Sequence, residues 1–154
     1  MRKTYRVLAW IVAAEVVVQA VAIAWFVFGL GHWVTGGGVL DSASMESDEI
    51  SFTELYGLIV HGINGGIVVP VVALALLIVS FFAKIPGGIK WAAAVLVLTV
   101  VQGQLGYLGH DVPAAGAAHG LNAIALLAVS VIAARRAPAR EGRPQVEAST
   151  ESVI

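Results

Sequence analysis

Sorted into apolar and polar positions, the chain is four long apolar runs separated by short polar breaks. The runs cover Val7 to Leu30, about Leu55 to Phe82, Trp91 to Leu108 and about Pro113 to Ala134. At about 1.5 Å per residue, each can carry a helix through about 30 Å of hydrocarbon. They predict membrane spans over about 7–30, 55–82, 91–108 and 113–134, within a four-helix transmembrane domain over 1–136. Pro70 interrupts the longest run and is expected to bend or tilt its helix. Short loops favour antiparallel neighbours, so the expected fold is all-α: an integral membrane, up-down-up-down four-helix bundle. In such a square the second and fourth helices are diagonal and run in the same direction.

Composition agrees with a bilayer as solvent. The 154 residues are 58% hydrophobic and 12% charged, with a mean hydropathy of +0.88. The first run follows Arg2, Lys3 and Arg6 and contains Ala22-Ile23-Ala24, which are features of a cleavable signal. It continues through Phe28 to Leu30 and is interrupted by Glu15 and Gln19, so a retained anchor is the better reading.

Charge distribution predicts the orientation. Arg2, Lys3, Arg6, Lys84, Lys90, Arg135, Arg136, Arg140 and Arg143 lie at the N-terminus, in the second loop or in the C-terminal tail. The first and third loops hold Asp41, Glu46, Asp48, Glu49, Glu54 and Asp111 and no basic residue. Lys and Arg are retained on the cytoplasmic side, which predicts a multi-pass protein of the cell membrane with both termini cytoplasmic. The bilayer is then the first partner, and no basic patch is left over for nucleic acid. Residues 137–154 read as a disordered cytoplasmic tail. The absence of cysteine excludes thiolate zinc sites, iron–sulfur clusters, covalent c-type haem and disulfides.

Two fragments recur in matching order. Leu30-Gly31-His32-Trp33-Val34 parallels Leu108-Gly109-His110-Asp111-Val112, and His61-Gly62-Ile63-Asn64 parallels His119-Gly120-Leu121-Asn122. The pattern suggests a duplicated helical hairpin whose first copy carries an acidic outer loop, 31–54. Within it, Gly36 to Thr53 is a candidate lid.

The repeats carry the candidate chemistry. His61 and His119 each fall about 8–9 Å below the outer edge of their spans at the helical rise. Glu54, Gly57, His61, Asn64, Gly65 and Val68 share one helical stripe, and Ala115, His119, Asn122, Ala123, Leu126 and Ser130 share another. Polar groups facing lipid are costly, so both stripes should face inward. Two inward imidazoles at one depth on diagonal helices suit bis-histidine ligation of haem. Gly57, Gly62, Gly65, Gly66, Gly103, Gly106, Gly116 and Gly120 supply small positions beside them. The same features also suit close helix packing with interhelical hydrogen bonds, or a proton or metal site. Gln102 lies near the depth of His61 and can hydrogen-bond within the pocket. Interfacial solvation or contact with haem propionates is expected of His32 and His110. Glu15 and Gln19, four apart, are expected to lie deeper than the histidines, with Glu15 either bonded to Gln19 or relaying protons from the cytoplasmic half. Glu54 is placed at the pocket mouth.

With Gln102-Gly103-Gln104-Leu105-Gly106 before the last helix, this histidine arrangement resembles one four-helix half of the heme A synthase family. It is similar also to small bacterial four-helix membrane proteins that share that half-fold. The resemblance covers the spans but not the acidic loop or tail. It implies a b-type haem held by His61 and His119. The synthases carry Glu-x-x-His on the second helix, where this chain has Leu58 in the acid position, so synthase activity is not expected. The expectation is electron transfer or haem handling near the outer face, with a quinol or redox protein as partner and homodimerisation as a route to an eight-helix assembly. A haem-free accessory subunit and a small proton or metal transporter are the alternatives.

Overall fold

A computed structural model describes residues 1–41, 43–44 and 52–137. Four long helices account for most of them: α1 (Arg2–Thr35), α2 (Leu55–Ala83), α3 (Gly88–Leu108) and α4 (Pro113–Arg135). There is no strand among the described residues. Each helix is long and apolar enough to cross a membrane, so the chain is a multi-pass membrane protein. α1 packs on α2 and α4, and α3 packs on the same two. This is the expected square, with α2 and α4 on one diagonal.

The helices run further than the apolar runs, because backbone hydrogen bonding continues where hydropathy stops. α1 starts among its basic residues and ends at Thr35. α3 starts at Gly88, behind a turn in which Lys84 and Gly87 adopt left-handed conformations (φ 51° and 70°). Arg2 closes that turn: its Nε and Nη2 donate to the Ala83 and Lys84 carbonyls at 3.3 and 2.9 Å. The Tyr5 hydroxyl donates to the Gly88 carbonyl at 3.0 Å, and the Arg136 guanidinium lies 5.2 Å from the centre of the Trp91 ring. One end of the bundle, which carries the start of α1 and the end of α4, is thus tied by polar contacts.

The apolar core is concentrated at this terminal end. Tyr5, Val12, Leu76, Val95 and Leu126 are at most 2% exposed. Toward the other end, where α1 connects to α2 and α3 to α4, the buried helical positions are Ala22, Gly29, Gly57 and Ala115, all small. There the outer part of α2 packs on α1, while contact between α2 and α3 is made by its inner part, Val69–Ala83. Phe52 stacks between Phe26 and Trp33, with ring centroids 6.1 and 5.7 Å away. This pins the entry of α2 against α1. Residues 42 and 45–51 of the expected lid, including Glu46, Asp48 and Glu49, lie outside the described residues, as does the tail 138–154 with Arg140 and Arg143.

Pro70 acts through a π-helical turn at Asn64–Val68, in which the Val69 N–H bonds the Asn64 carbonyl five residues back. Proline has no N–H for the Gly66 carbonyl, and the wider turn takes up the misfit. The turn also corrects the stripe expected on α2. Val68 is 41% exposed and Val69 is 5% exposed. One extra residue turns Val69, Ala73 and Leu76 inward while His61 and Asn64 keep their own inward face. On α4, which has no such turn, Ala115, Leu126 and Ser130 are buried as the spacing predicts.

A Cβ at Gly57 would collide with the Ala22 carbonyl of α1, whereas one at Gly62 would meet nothing within 4 Å. Gly57→Val is therefore expected to destabilise the bundle by about 1–3 kcal/mol. Gly62→Ala is expected to be neutral or to stabilise by about 0.5–1 kcal/mol. Thermal unfolding in detergent measures both.

Candidate functional site

His61 and His119 face each other across the diagonal, with ring centroids 6.1 Å apart and ring planes at 55°. Each is held by the helix that precedes its own. The His119 Nδ1–H donates to the Gln102 carbonyl on α3 at 2.9 Å. The His61 Nδ1 lies 3.1 Å from the Gln19 carbonyl on α1. A carbonyl can only accept, so the bond at His119 fixes its proton on Nδ1 and leaves Nε2 with a lone pair.

One turn further along, the paired asparagines repeat the arrangement. Asn122 Nδ2 donates to Gln102 Oε1 at 2.6 Å and to the Leu98 carbonyl at 3.0 Å. Asn64 Nδ2 donates to Glu15 Oε2 at 2.6 Å. The Gln19 amide finds matching partners in only one of its two orientations. Its Oε1 then accepts from Asn64 Nδ2 at 3.0 Å and from the Gly65 N–H at 2.9 Å. Each half of the bundle thus joins a His-Gly-x-Asn segment to a glutamine on the neighbouring helix. These inward amides and the Glu15 carboxyl are satisfied by one another, as a lipid-surrounded bundle requires, whereas the buried Ser130 hydroxyl has no hydrogen-bond partner among the described residues.

The pairing of Gln19 with Gln102 is not legible in the sequence. Leu30 lies farther from Gln19 than Leu108 does from Gln102, so the Leu-Gly-His fragments do not share the register of the glutamines. The depth expected for Gln19 is also corrected. Gln19 lies level with His61, because α1 projects past the start of α2: Glu54, just before α2, packs over Gly29, six residues short of the end of α1 at Thr35. Glu15 bonds Asn64 and not Gln19. Hydrophobic counting measures depth from the end of each run and cannot see that neighbouring helices start at different heights.

The glycines divide into two groups. Gly57 faces the Ala22 carbonyl, a Cβ at Gly65 would sit 3.2 Å from the Gln19 side-chain amide, and one at Gly106 would sit 3.2 Å from the His119 ring. These three permit close approach and do not make open space. Around Gly62, Gly66, Gly103, Gly116 and Gly120 a Cβ would meet nothing within 4 Å. His32 and His110 are exposed, and neither has a hydrogen bond to the histidine pair among the described residues.

Two surface grooves, of about 310 and 430 Å³, are lined by Val17, Trp25 and Val60 and by Ala118, Leu121 and Ile124, among others, and contain neither histidine. Among the described residues no group of three or more His, Cys, Asp or Glu converges. Two imidazoles are therefore the donor set that the site offers.

Asn64→Leu is expected to cost more stability than Asn122→Leu, because it leaves the Glu15 carboxyl without its donor. The expected losses are about 0.5–2 kcal/mol for Asn122→Leu and more for Asn64→Leu. Adding Glu15→Leu to Asn64→Leu should recover part of the loss in the same detergent unfolding measurement.

Comparison of the chain with family models, with curated proteins and with solved structures finds no match.

Proposed function

We propose that the chain is a b-type haem-binding membrane protein that serves electron transfer or haem handling near the outer face of the membrane. The observation that carries this reading is the pair His61 and His119, which face one another from diagonal helices at 6.1 Å between ring centres. A metal bond to an imidazole nitrogen is about 2.0–2.1 Å. From that nitrogen to the ring centre is about 1.1 Å, given ring bonds near 1.3 Å. Two such arms in line need roughly 6.3 Å, close to the separation found. A direct hydrogen bond between the same nitrogens, about 2.9 Å long, would need the rings closer together.

Three further features support the same reading. The Nδ1 anchor on His119 directs its Nε2 lone pair to a ligand. At Gly62, Gly66, Gly103, Gly116 and Gly120 no side chain packs against the helix face, since a Cβ there would meet nothing within 4 Å. The buried helical positions in the part of the bundle that holds the histidines are small, Ala22, Gly29, Gly57 and Ala115. A haem bound there supplies one-electron redox chemistry. His61 and His119 would hold it, and the Gln102 carbonyl on His119 Nδ1 would raise the basicity of that ligand. Likeness to one half of heme A synthase belongs to this proposal, as do a quinol or protein redox partner and a homodimer.

The orientation belongs to it as well. Arg2, Lys3, Arg6, Lys84, Lys90, Arg135 and Arg136 lie at the terminal end of the bundle, and Asp41, Glu54 and Asp111 at the other. The positive end faces the cytoplasm. The chain has no cysteine, so a single introduced thiol reports its side. With a membrane-impermeant maleimide on intact cells, Asp111→Cys is expected to label and Lys84→Cys to remain unlabelled. The reverse pattern would invert the topology.

Protein made with ample haem and purified in detergent is expected to show the reduced-minus-oxidised bands of a b-type haem. His61→Ala and His119→Ala should each abolish or strongly shift them, and His32→Ala should not. A spectrum without haem bands would sink the reading. Loss of thermal stability in the His61 variant, with no chromophore in either protein, would favour a haem-free accessory subunit whose polar network only holds the helices together.

A further inference from the structure

The two halves of the site match in their main-chain anchors and differ in what the glutamine side chains do. At His119, Gln102 Oε1 is taken up by Asn122, and the Gln102 carbonyl alone faces Nδ1. At His61 the main chain and the side chain of Gln19 make opposite demands. The Gln19 carbonyl, 3.1 Å from Nδ1, requires a proton there. The Gln19 amide, in the orientation that satisfies it, points Nε2 at the same Nδ1 at 2.8 Å and at the His61 carbonyl at 3.0 Å. That bond requires Nδ1 to be bare. Reversing the amide would set oxygen against the His61 carbonyl and nitrogen against the Gly65 N–H.

A neutral imidazole carries one ring proton, so the two bonds exclude each other. With the proton on Nδ1, Nε2 keeps the lone pair that ligation needs. With Gln19 donating to Nδ1, the proton sits on Nε2 and the lone pair is gone. The contest is local to His61; at His119 nothing opposes the ligating tautomer.

On the haem reading above, we propose that Gln19 is a tautomer gate that would make His61 the exchangeable ligand of the haem and His119 the fixed one, so that the His61 side would admit a small π-acceptor ligand of the carbon monoxide class. His61 and His119 would hold the haem, and the haem would supply the coordination chemistry. When the His61 ring proton leaves Nδ1 and a water or buffer molecule returns one to Nε2, Nδ1 accepts the Gln19 amide and Nε2 has no lone pair to offer a metal. No proton is gained or lost and no electron moves. Gln19 acts through His61 and is a positioning residue.

Two measurements on the full chain test this. In protein prepared without haem, histidine ¹⁵N spectra are expected to show His119 protonated on Nδ1 and His61 on Nε2, and Gln19→Leu should move the His61 proton to Nδ1. In haem-loaded, dithionite-reduced protein, carbon monoxide binding followed by absorbance should slow by about two- to tenfold in Gln19→Leu, the equilibrium worth of one net hydrogen bond. Gln104→Leu, at an exposed position on the same helix as Gln102, should leave that rate within about twofold. Gln19→Met provides a second variant of similar length should the leucine protein fail to fold. His61 carrying its proton on Nδ1 in the wild type, or an unslowed Gln19 variant, would overturn the gate. Missing haem bands would instead remove the haem reading, while the tautomer measurement still reads the gate by itself.

Discussion

A polar side chain inside an apolar bundle must find its partners within the protein, and the arrangement of these four helices follows from that requirement. Gln19, Asn64 and Glu15 on one side, and Gln102 and Asn122 on the other, are inward groups that water does not reach through lipid. Each is satisfied by a helix next to its own. The bonds Asn64 to Glu15 and Asn122 to Gln102 therefore fix the rotation of α2 against α1 and of α4 against α3. Once those rotations are set, His61 and His119 have only the diagonal to face.

The apolar core imposes a second rotation, and on α2 the two conflict. A regular α-helix that aims His61 and Asn64 inward would put Val68 on the inner face. The packed half of the bundle needs Val69, Ala73 and Leu76 there instead. The π-helical turn at Asn64–Val68 resolves the conflict by inserting one residue of phase, and Pro70 makes that place the least costly for it, because a proline cannot complete the regular ladder. The result is a bundle of two parts. One end is filled by large apolar side chains and tied by Arg2 and Tyr5. The other is held by aromatic stacking at Phe52 and by close glycine contacts, with open glycines next to the histidines.

Internal symmetry gives the site its pair of imidazoles, and departures from that symmetry give the pair its differences. Gln19 and Gln102 occupy matching places, yet only Gln19 brings its side chain to the ring nitrogen of its histidine. Glu15 has its counterpart in the carbonyl of Leu98, so the carboxyl is an addition to one half. A single network thus produces two imidazoles with different hydrogen-bonding demands, which is the physical basis of the proposed division into a fixed and an exchangeable ligand.

Hydropathy determined the four spans and the inward stripe of α4, because the cost of polar groups in lipid acts on each residue separately, and the short loops determined the antiparallel order. The repeated His-Gly-x-Asn segments marked the two histidines for the same reason, each stripe being a local property of one helix. The tertiary structure alone decided the relative heights of the helices. It thereby brought Gln19 to the level of His61, gave Glu15 to Asn64, and divided the glycines into those that touch a neighbour and those that leave space. These are relations between segments, and spacing along one helix carries no information about the height of the next. His61 and His119 were legible as candidates, but their facing geometry and the unequal claims of Gln19 and Gln102 on their ring protons arise only when four helices settle on one packing.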